Sequence, residues 1–212
     1  MRNNTGQWRI AVFASGRGSN LEALLESIDR GDLTGARIVL VISNNSASGA
    51  LETARKRSIA TAHISSRTHP ERGCYEHALL DRLEGAGIDL ILLAGYMKMF
   101  PACVVRAYHG RILNIHPALL PRHGGAGMYG LNVHRAVLDS GDRQSGATVH
   151  LVNERYDEGR IVLQRRVPVL PDDTPERLAA RVLEVEHDLY WRAVRQVMAE
   201  RAGESADEEE LR

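Results

Sequence analysis

Cysteine is nearly absent from this chain. Its 212 residues hold two, Cys74 and Cys103, far apart and without CxxC spacing. No disulfide framework or cysteine-built metal motif is expected, only two free or buried thiols in a reducing compartment. Net charge is lacking too, since 27 Lys plus Arg stand against 27 Asp plus Glu. A broad basic face of the kind that holds nucleic acid is therefore not expected. No apolar run reaches the length of a membrane span, and Met1 to Trp8 contains nothing resembling a secretory signal. The expected location is the cytoplasm, without a membrane or nucleic-acid partner. Nine histidines are present, but none has His-x-x-x-His spacing on a helix with Glu between, and no Cys/His cluster occurs. A metal is not expected. No internal repeat or interdomain linker interrupts the chain.

What is there is an alternation of short apolar runs and amphipathic stretches. Strands are expected at Trp8 to Ala14, Arg37 to Ser43, Thr61 to Ile64, Asp89 to Ala94 and Arg111 to Ile115. Helices are expected between them, at Asn20 to Ile28, Gly49 to Arg57, His69 to Glu84 and Pro101 to Tyr108. This rhythm, with strands apolar on both faces, gives an α/β fold: an open, mostly parallel, doubly wound sheet. The pattern then changes. Ala147 to Val152 and Ile161 to Val169 are strands joined by too few residues for a crossover helix, so they form an antiparallel hairpin. A long final helix runs from Pro175 to about Glu200, with Thr174 as N-cap and an apolar stripe of Leu178, Val182, Val185, Leu189 and Val194. One domain over residues 1–200 is expected, followed by a charged, disordered tail at 201–212. Leu119 to Asn132 reads as one long glycine-rich loop, which in a compact domain is functional or mobile.

Two constellations carry chemistry. The first is Ser15-Gly16-Arg17-Gly18-Ser19-Asn20-Leu21-Glu22, between the first strand and the first helix. Glycines let the backbone turn tightly, and a helix N-terminus offers free N–H groups to an anion. No Gly-Lys-Ser/Thr follows and a third glycine is missing, so neither a Walker loop nor a dinucleotide fingerprint fits. A mononucleotide-like phosphate suits it, but a plain turn with a Ser19/Glu22 capping box does so equally. The second is Asn114 and His116, two apart at the end of an apolar strand, so that an amide and an imidazole project from one face. Pro117 then ends the strand. An amide that can donate to an oxyanion, beside an imidazole that can move a proton, suits attack on a carbonyl. Asp157, in the turn of the hairpin, could raise the imidazole pKa. Asp next to Gly is also ordinary turn chemistry, and spacing leaves both readings open.

Four segments carry a resemblance: Ser15 to Leu21, Leu93-Ala94-Gly95-Tyr96-Met97, Leu113 to Pro121, and Gly146-Ala147-Thr148-Val149-His150. From about Arg9 to Val197 the chain closely resembles the phosphoribosylglycinamide formyltransferases, folate-dependent enzymes of purine synthesis with a Rossmann-like fold. The Asn-x-His-Pro-x-Leu-Leu-Pro element is shared across folate formyl-transferring and deformylating enzymes. The Ser-Gly-x-Gly-Ser-Asn loop narrows it to the glycinamide ribonucleotide branch.

The resemblance implies 10-formyltetrahydrofolate as co-substrate and glycinamide ribonucleotide as acceptor, in a monomer or homodimer. It implies Asn114 as oxyanion stabiliser, His116 as general acid, and Asp157 as the group that keeps His116 charged. Gly18, Ser19, Asn20, Gly95 and Glu186 would bind the ribonucleotide. Arg72, Met97, Lys98, Met99, Phe100, Asn114, Asn153, Glu154 and Tyr156 would bind the folate. One departure stands out: Arg122 to Val133 replaces a shorter connection found in many members, and is expected to close over substrate. Three rivals are disfavoured. A formyltetrahydrofolate deformylase of this family usually adds an N-terminal domain, for which a strand starting at Trp8 leaves no room. A methionyl-tRNA formyltransferase needs a further domain and a basic surface. A non-catalytic binding module has no need of Asn114, His116 and Asp157 together.

Overall fold

Along Trp8–Phe13, the first strand (β1), successive side chains enter different layers. Ile10 and Val12 pack with Leu21, Leu24, Leu178 and Val182, whereas Ala11 and Phe13 pack with Leu79, Leu83 and Val104. Side chains alternate across a strand, so a strand apolar at every position must be covered on both faces. The computed structural model describes residues 6–210, and the side chains in that range apart from residues 72 and 204–210.

After β1 come α1 (Ser19–Asp29), β2 (Ala36–Ser43), α2 (Gly49–Lys56), β3 (Ala60–His63), α3 (Arg72–Gly85), β4 (Leu90–Leu93), α4 (Ala102–Ala107) and β5 (Ile112–His116). Then follow α5 (Leu131–Asp139), β6 (Gln144–Leu151), β7 (Ile161–Pro168) and α6 (Pro175–Glu210). The strands form one sheet in the order β3-β2-β1-β4-β5-β6-β7. The first five are parallel, while β6 pairs antiparallel with both β5 and β7. The α/β doubly wound fold with its C-terminal hairpin and long last helix is thus present. Strand order reverses between β1 and β4, and in open α/β sheets ligands bind at the carboxyl ends of such a switch point. The Tyr190 hydroxyl of α6 lies 3.1 Å from the carbonyls of both Leu93 and Leu113, which ties the last helix to the end of β4 and the start of β5. Among the described residues no helix is long and apolar enough to cross a membrane.

The structure corrects four expectations. The Ser19/Glu22 capping box is absent: Gly18, at φ 90°, is the N-cap, and Ser19 is already helical. The loop read from Leu119 to Asn132 ends at Gly130, because α5 begins at Leu131. That helix is only nine residues long and follows a glycine-rich run, although it buries Val133, His134 and Val137 on one face. Strand β6 begins at Gln144, since Gln144, Ser145 and Gly146 pair with β7 although they are polar or small. Finally, α6 runs past Glu200 to Glu210, where alanine and glutamate favour continuation. The cap at Thr174 is as expected, its Oγ1 accepting from Arg177 N at 3.3 Å.

Candidate active site

One register row crosses the sheet at the carboxyl ends of its central strands. Phe13 pairs with Leu93, Leu93 with Asn114, and Asn114 with His150. The loops after β1, β4 and β5 therefore open into one crevice.

On the β1 side, Gly18 takes a left-handed conformation, and a Cβ there would lie 2.8 Å from Ala50 Cα. Only glycine allows the turn to lie against α2. Glu22 N makes the first helical bond, to Gly18 O at 2.9 Å. The N–H groups of Ser19, Asn20 and Leu21 precede that bond, and no side chain caps them. Ser15 ties the loop to its neighbours: its Oγ donates to Asn44 Oδ1 at 2.6 Å and accepts from Met97 N at 2.9 Å. Its N–H donates to Gly95 O at 3.1 Å. Asn20 donates from Nδ2 to Glu186 Oε2 at 2.6 Å, and Asn20 Oδ1 is buried without a partner among the described residues. Burial pushes the Glu186 carboxyl up to about 7, against the Asn20 bond, which lowers it.

On the β5 side, Asn114 Nδ2 donates to His150 Nε2 at 3.0 Å and to Asp157 Oδ1 at 3.4 Å. His150 Nδ1 lies 3.0 Å from Leu151 O and must donate to it, which leaves Nε2 of the neutral ring to accept from Asn114. His116 is buried, and its Nε2 donates to His123 O at 2.8 Å. Its Nδ1 faces Asp157 Oδ2 at 3.6 Å. Asp157 sits at φ 54°, a conformation Asp tolerates better than most residues. It accepts from Gly125 N at 2.9 Å. A Cβ on Gly124 would fall 2.6 Å from Leu120 Cδ2 and 3.1 Å from Asp157 Cβ, so a side chain there would have to displace Leu120 and crowd the carboxylate.

At His116 two effects oppose each other. Desolvation lowers the His116 pKa, and this outweighs the upward pull of Asp157. Its Nε2–H is committed to the His123 carbonyl, so Nδ1 is the nitrogen that faces Asp157. Asp157 is held below its ordinary value despite burial, by the imidazoles of His150 and His116 beside it and by the Gly125 amide. Burial takes His134, beside them on α5, down to about 4.

A family model for formyl transferases matches residues 8–194 of the chain. The chain belongs to the formyl transferase family. Among curated family members, it is 46% identical over 194 residues to the chloroplastic phosphoribosylglycinamide formyltransferase of Arabidopsis thaliana, covering 91% of this chain and 66% of that one. The chain thus spans slightly less than two thirds of that relative's length. It is 38% identical over 182 residues to the phosphoribosylglycinamide formyltransferase of Haemophilus influenzae, covering 86% and 83%. Among solved structures, glycinamide ribonucleotide transformylase 1 from Symbiobacterium toebii aligns with a TM-score of 0.84 at 39% identity, covering 92% of this chain and 89% of that chain.

The family fold brings Asn114, His116 and Asp157 together, and it adds His150. Sequence reasoning gave His150 no role. The signal that could have found it is strand register, because β6 sets it opposite Asn114. Gly18, Ser19, Asn20 and Glu186 gather between α1 and α6. Met97, Lys98 and Met99 are exposed after β4, whereas Phe100 is buried, edge-on to Phe13 at a centroid distance of 4.9 Å. Asn153, Glu154 and Tyr156 are exposed in the hairpin loop, and Glu154 pairs with Arg106. Arg72 opens α3, and its side chain lies outside the described residues. Among the described residues no three His, Cys, Asp or Glu side chains are arranged to hold a metal ion. Cys74 is exposed and Cys103 half-buried, both as free thiols.

Proposed function

We propose that this chain transfers the formyl group of 10-formyltetrahydrofolate to the amine of glycinamide ribonucleotide. It would act in the cytoplasm, on small molecules, as a monomer or homodimer and without a metal. The observation that carries the reading is the row Phe13–Leu93–Asn114–His150. It puts an uncapped helix N-terminus and an amide–imidazole–carboxylate cluster in one crevice. Strands lie about 4.8 Å apart, so the ends of β1 and β5 are separated by roughly 10 Å. A phosphorylated sugar with a short amine-bearing arm can bridge that gap.

The free amides of Ser19 and Asn20, with the turn at Gly18, hold the phosphate. Glu186 and the unpartnered Asn20 Oδ1 receive the sugar, beside Gly95. The bound folate supplies a formyl group carried on N10, with Met97, Lys98, Met99, Phe100, Arg72, Asn153, Glu154 and Tyr156 around it. Asn114 donates to the formyl oxygen as negative charge develops there, giving up its longer contact to Asp157. One bond forms between the amine and the formyl carbon, and one breaks between that carbon and N10. Neutral His116 takes the proton that the amine loses and returns it to N10, so protons balance. Asp157 stabilises the transient imidazolium. Such groups each contribute on the order of 10²–10⁴ in rate, and holding both substrates in one crevice adds proximity.

The test is turnover of 10-formyltetrahydrofolate by purified protein with and without glycinamide ribonucleotide. Strict dependence on the ribonucleotide is expected, and His116→Ala should keep substrate binding while losing nearly all turnover. Turnover independent of the ribonucleotide would replace this reading with a deformylase.

A further inference from the structure

The residue that orients His116 is itself oriented from outside the crevice. His116 Nε2 donates to the backbone carbonyl of His123. His123 stands at φ 55°, a left-handed conformation uncommon for residues with a Cβ, though His adopts it more readily than most. Its ring is held from the other side of the loop: His123 Nε2 donates to Asp142 Oδ2 at 2.7 Å, and Arg122 Nη2 lies 2.8 Å from Asp142 Oδ1. Asp142 lies in the short connection between α5 and β6, outside the Arg122–Gly125 segment. Two residues further along the same loop, Gly125 N bonds Asp157. One short segment, Arg122 to Gly125, therefore grips both His116 and Asp157, and Asp142 grips that segment.

We propose that Asp142 and His123 are positioning residues for His116. Asp142 anchors the His123 ring, and the anchored loop presents the carbonyl that fixes the tautomer and angle of the His116 imidazole. With Nε2–H committed to that carbonyl, Nδ1 is the nitrogen left to exchange protons, and it points toward Asp157. Without the anchor, the left-handed turn at His123 relaxes and the His116 ring can rotate or change tautomer. The anchor is charged as well as geometric: the His123 bond is the largest cause that lowers the Asp142 pKa. The groups facing the pair are Arg122, Arg143 and Arg166, around a cavity of ≈ 330 Å³ that both residues line, and Ser140, which also lowers the Asp142 pKa. His116 acts on His123 through the carbonyl side. The part His116 plays in turnover rests on the formyl-transfer reading, while the orientation of its ring does not.

The experiment has two arms. In the first, ¹⁵N NMR of the imidazoles follows the ligand-free protein. Wild type should show His116 in the single Nε2–H tautomer, and Asp142→Ala should give a mixture of tautomers. Asp142→Asn keeps an acceptor for His123 Nε2–H and should restore the single form. In the second arm, Asp142→Ala and His123→Phe should each lower kcat about ten- to a hundredfold, as small misplacements of a reacting group do, with KM for the ribonucleotide nearly unchanged. The double variant should be no worse than the worse single one, because the two act as one unit. An unchanged His116 tautomer in Asp142→Ala overturns the proposal, and so do losses that multiply in the double variant. If wild type transfers no formyl group, the functional reading fails while the NMR arm still decides this one. Should His123→Phe not fold, the two Asp142 variants suffice.

Discussion

Asn114 and His150 face each other across the antiparallel β5–β6 pair, with Nδ2 3.0 Å from Nε2. The imidazole is fixed by its own bond to Leu151 O, so it is a rigid acceptor for the amide. His150→Ala leaves Asn114 with only its 3.4 Å contact to Asp157. The expected loss is about tenfold in kcat or more, with about 1–3 kcal/mol of stability, since a buried donor loses its partner. Steady-state kinetics and denaturant unfolding check both. A stability loss with kcat unchanged would separate His150 from the chemistry.

The pH dependence of turnover follows from His116. Burial lowers its pKa below 6.5, and the neutral ring is the form that accepts a proton. Activity should therefore rise with pH through a midpoint below 6.5 and then level off. Asp157 raises the His116 pKa, so Asp157→Asn should move that midpoint further down while lowering the plateau, on the order of 10²-fold. The quantity to follow is kcat/KM for the folate at saturating ribonucleotide, which holds Glu186 in one environment. A midpoint moved upward by Asp157→Asn would contradict the assignment.

Glu186 gives a stability prediction of definite sign. Its folded pKa of about 7 lies above the 4.5 of the free group. The folded state thus binds more protons between those values, and stability from this site is lost as pH rises from 4.5 through 7. Glu186→Gln keeps an oxygen to accept from Asn20 and cannot ionise. It should be close to wild type at pH 5 and more stable at pH 8, by at most about 3 kcal/mol for a shift of this size. Thermal unfolding at the two pH values checks it, and a benefit confined to pH 5 would reverse the sign.

Gly18 tests the turn before α1. Alanine there meets both a left-handed backbone and Ala50. Gly18→Ala should cost about 1–2 kcal/mol from conformation alone, which is roughly 2–8 °C in Tm for a protein of this size. It should also raise KM for the ribonucleotide more than KM for the folate. Equal effects on both would remove the loop from the phosphate site.

Much of this was legible in the sequence, for identifiable reasons. The β-strands that are apolar on both faces announce a parallel sheet, and Asn114 and His116 share a face because strand side chains alternate. Thr174 announces the start of α6. The gaps have physical causes as well. Gly18 rather than Ser19 caps α1, because backbone φ there is set by contact with Ala50, distant in sequence. The α5 helix is only nine residues long and hides behind a glycine-rich run. His150 and Asp142 reach His116 and Asn114 only through β5–β6 register and the fold of the Arg122–Gly125 segment. Composition does not encode either one. The lowered pKa of His116 depends on burial, which only a three-dimensional arrangement supplies.

The most direct test of formyl transfer follows the formyl carbon itself. Purified protein is given 10-formyltetrahydrofolate carrying ¹³C in the formyl group, together with glycinamide ribonucleotide, and the reaction is watched by ¹³C NMR. The label should move to a formyl group on the glycyl nitrogen, at a rate that falls to background in His116→Ala, with no free formate. Accumulation of labelled formate in place of the formylated ribonucleotide would contradict it.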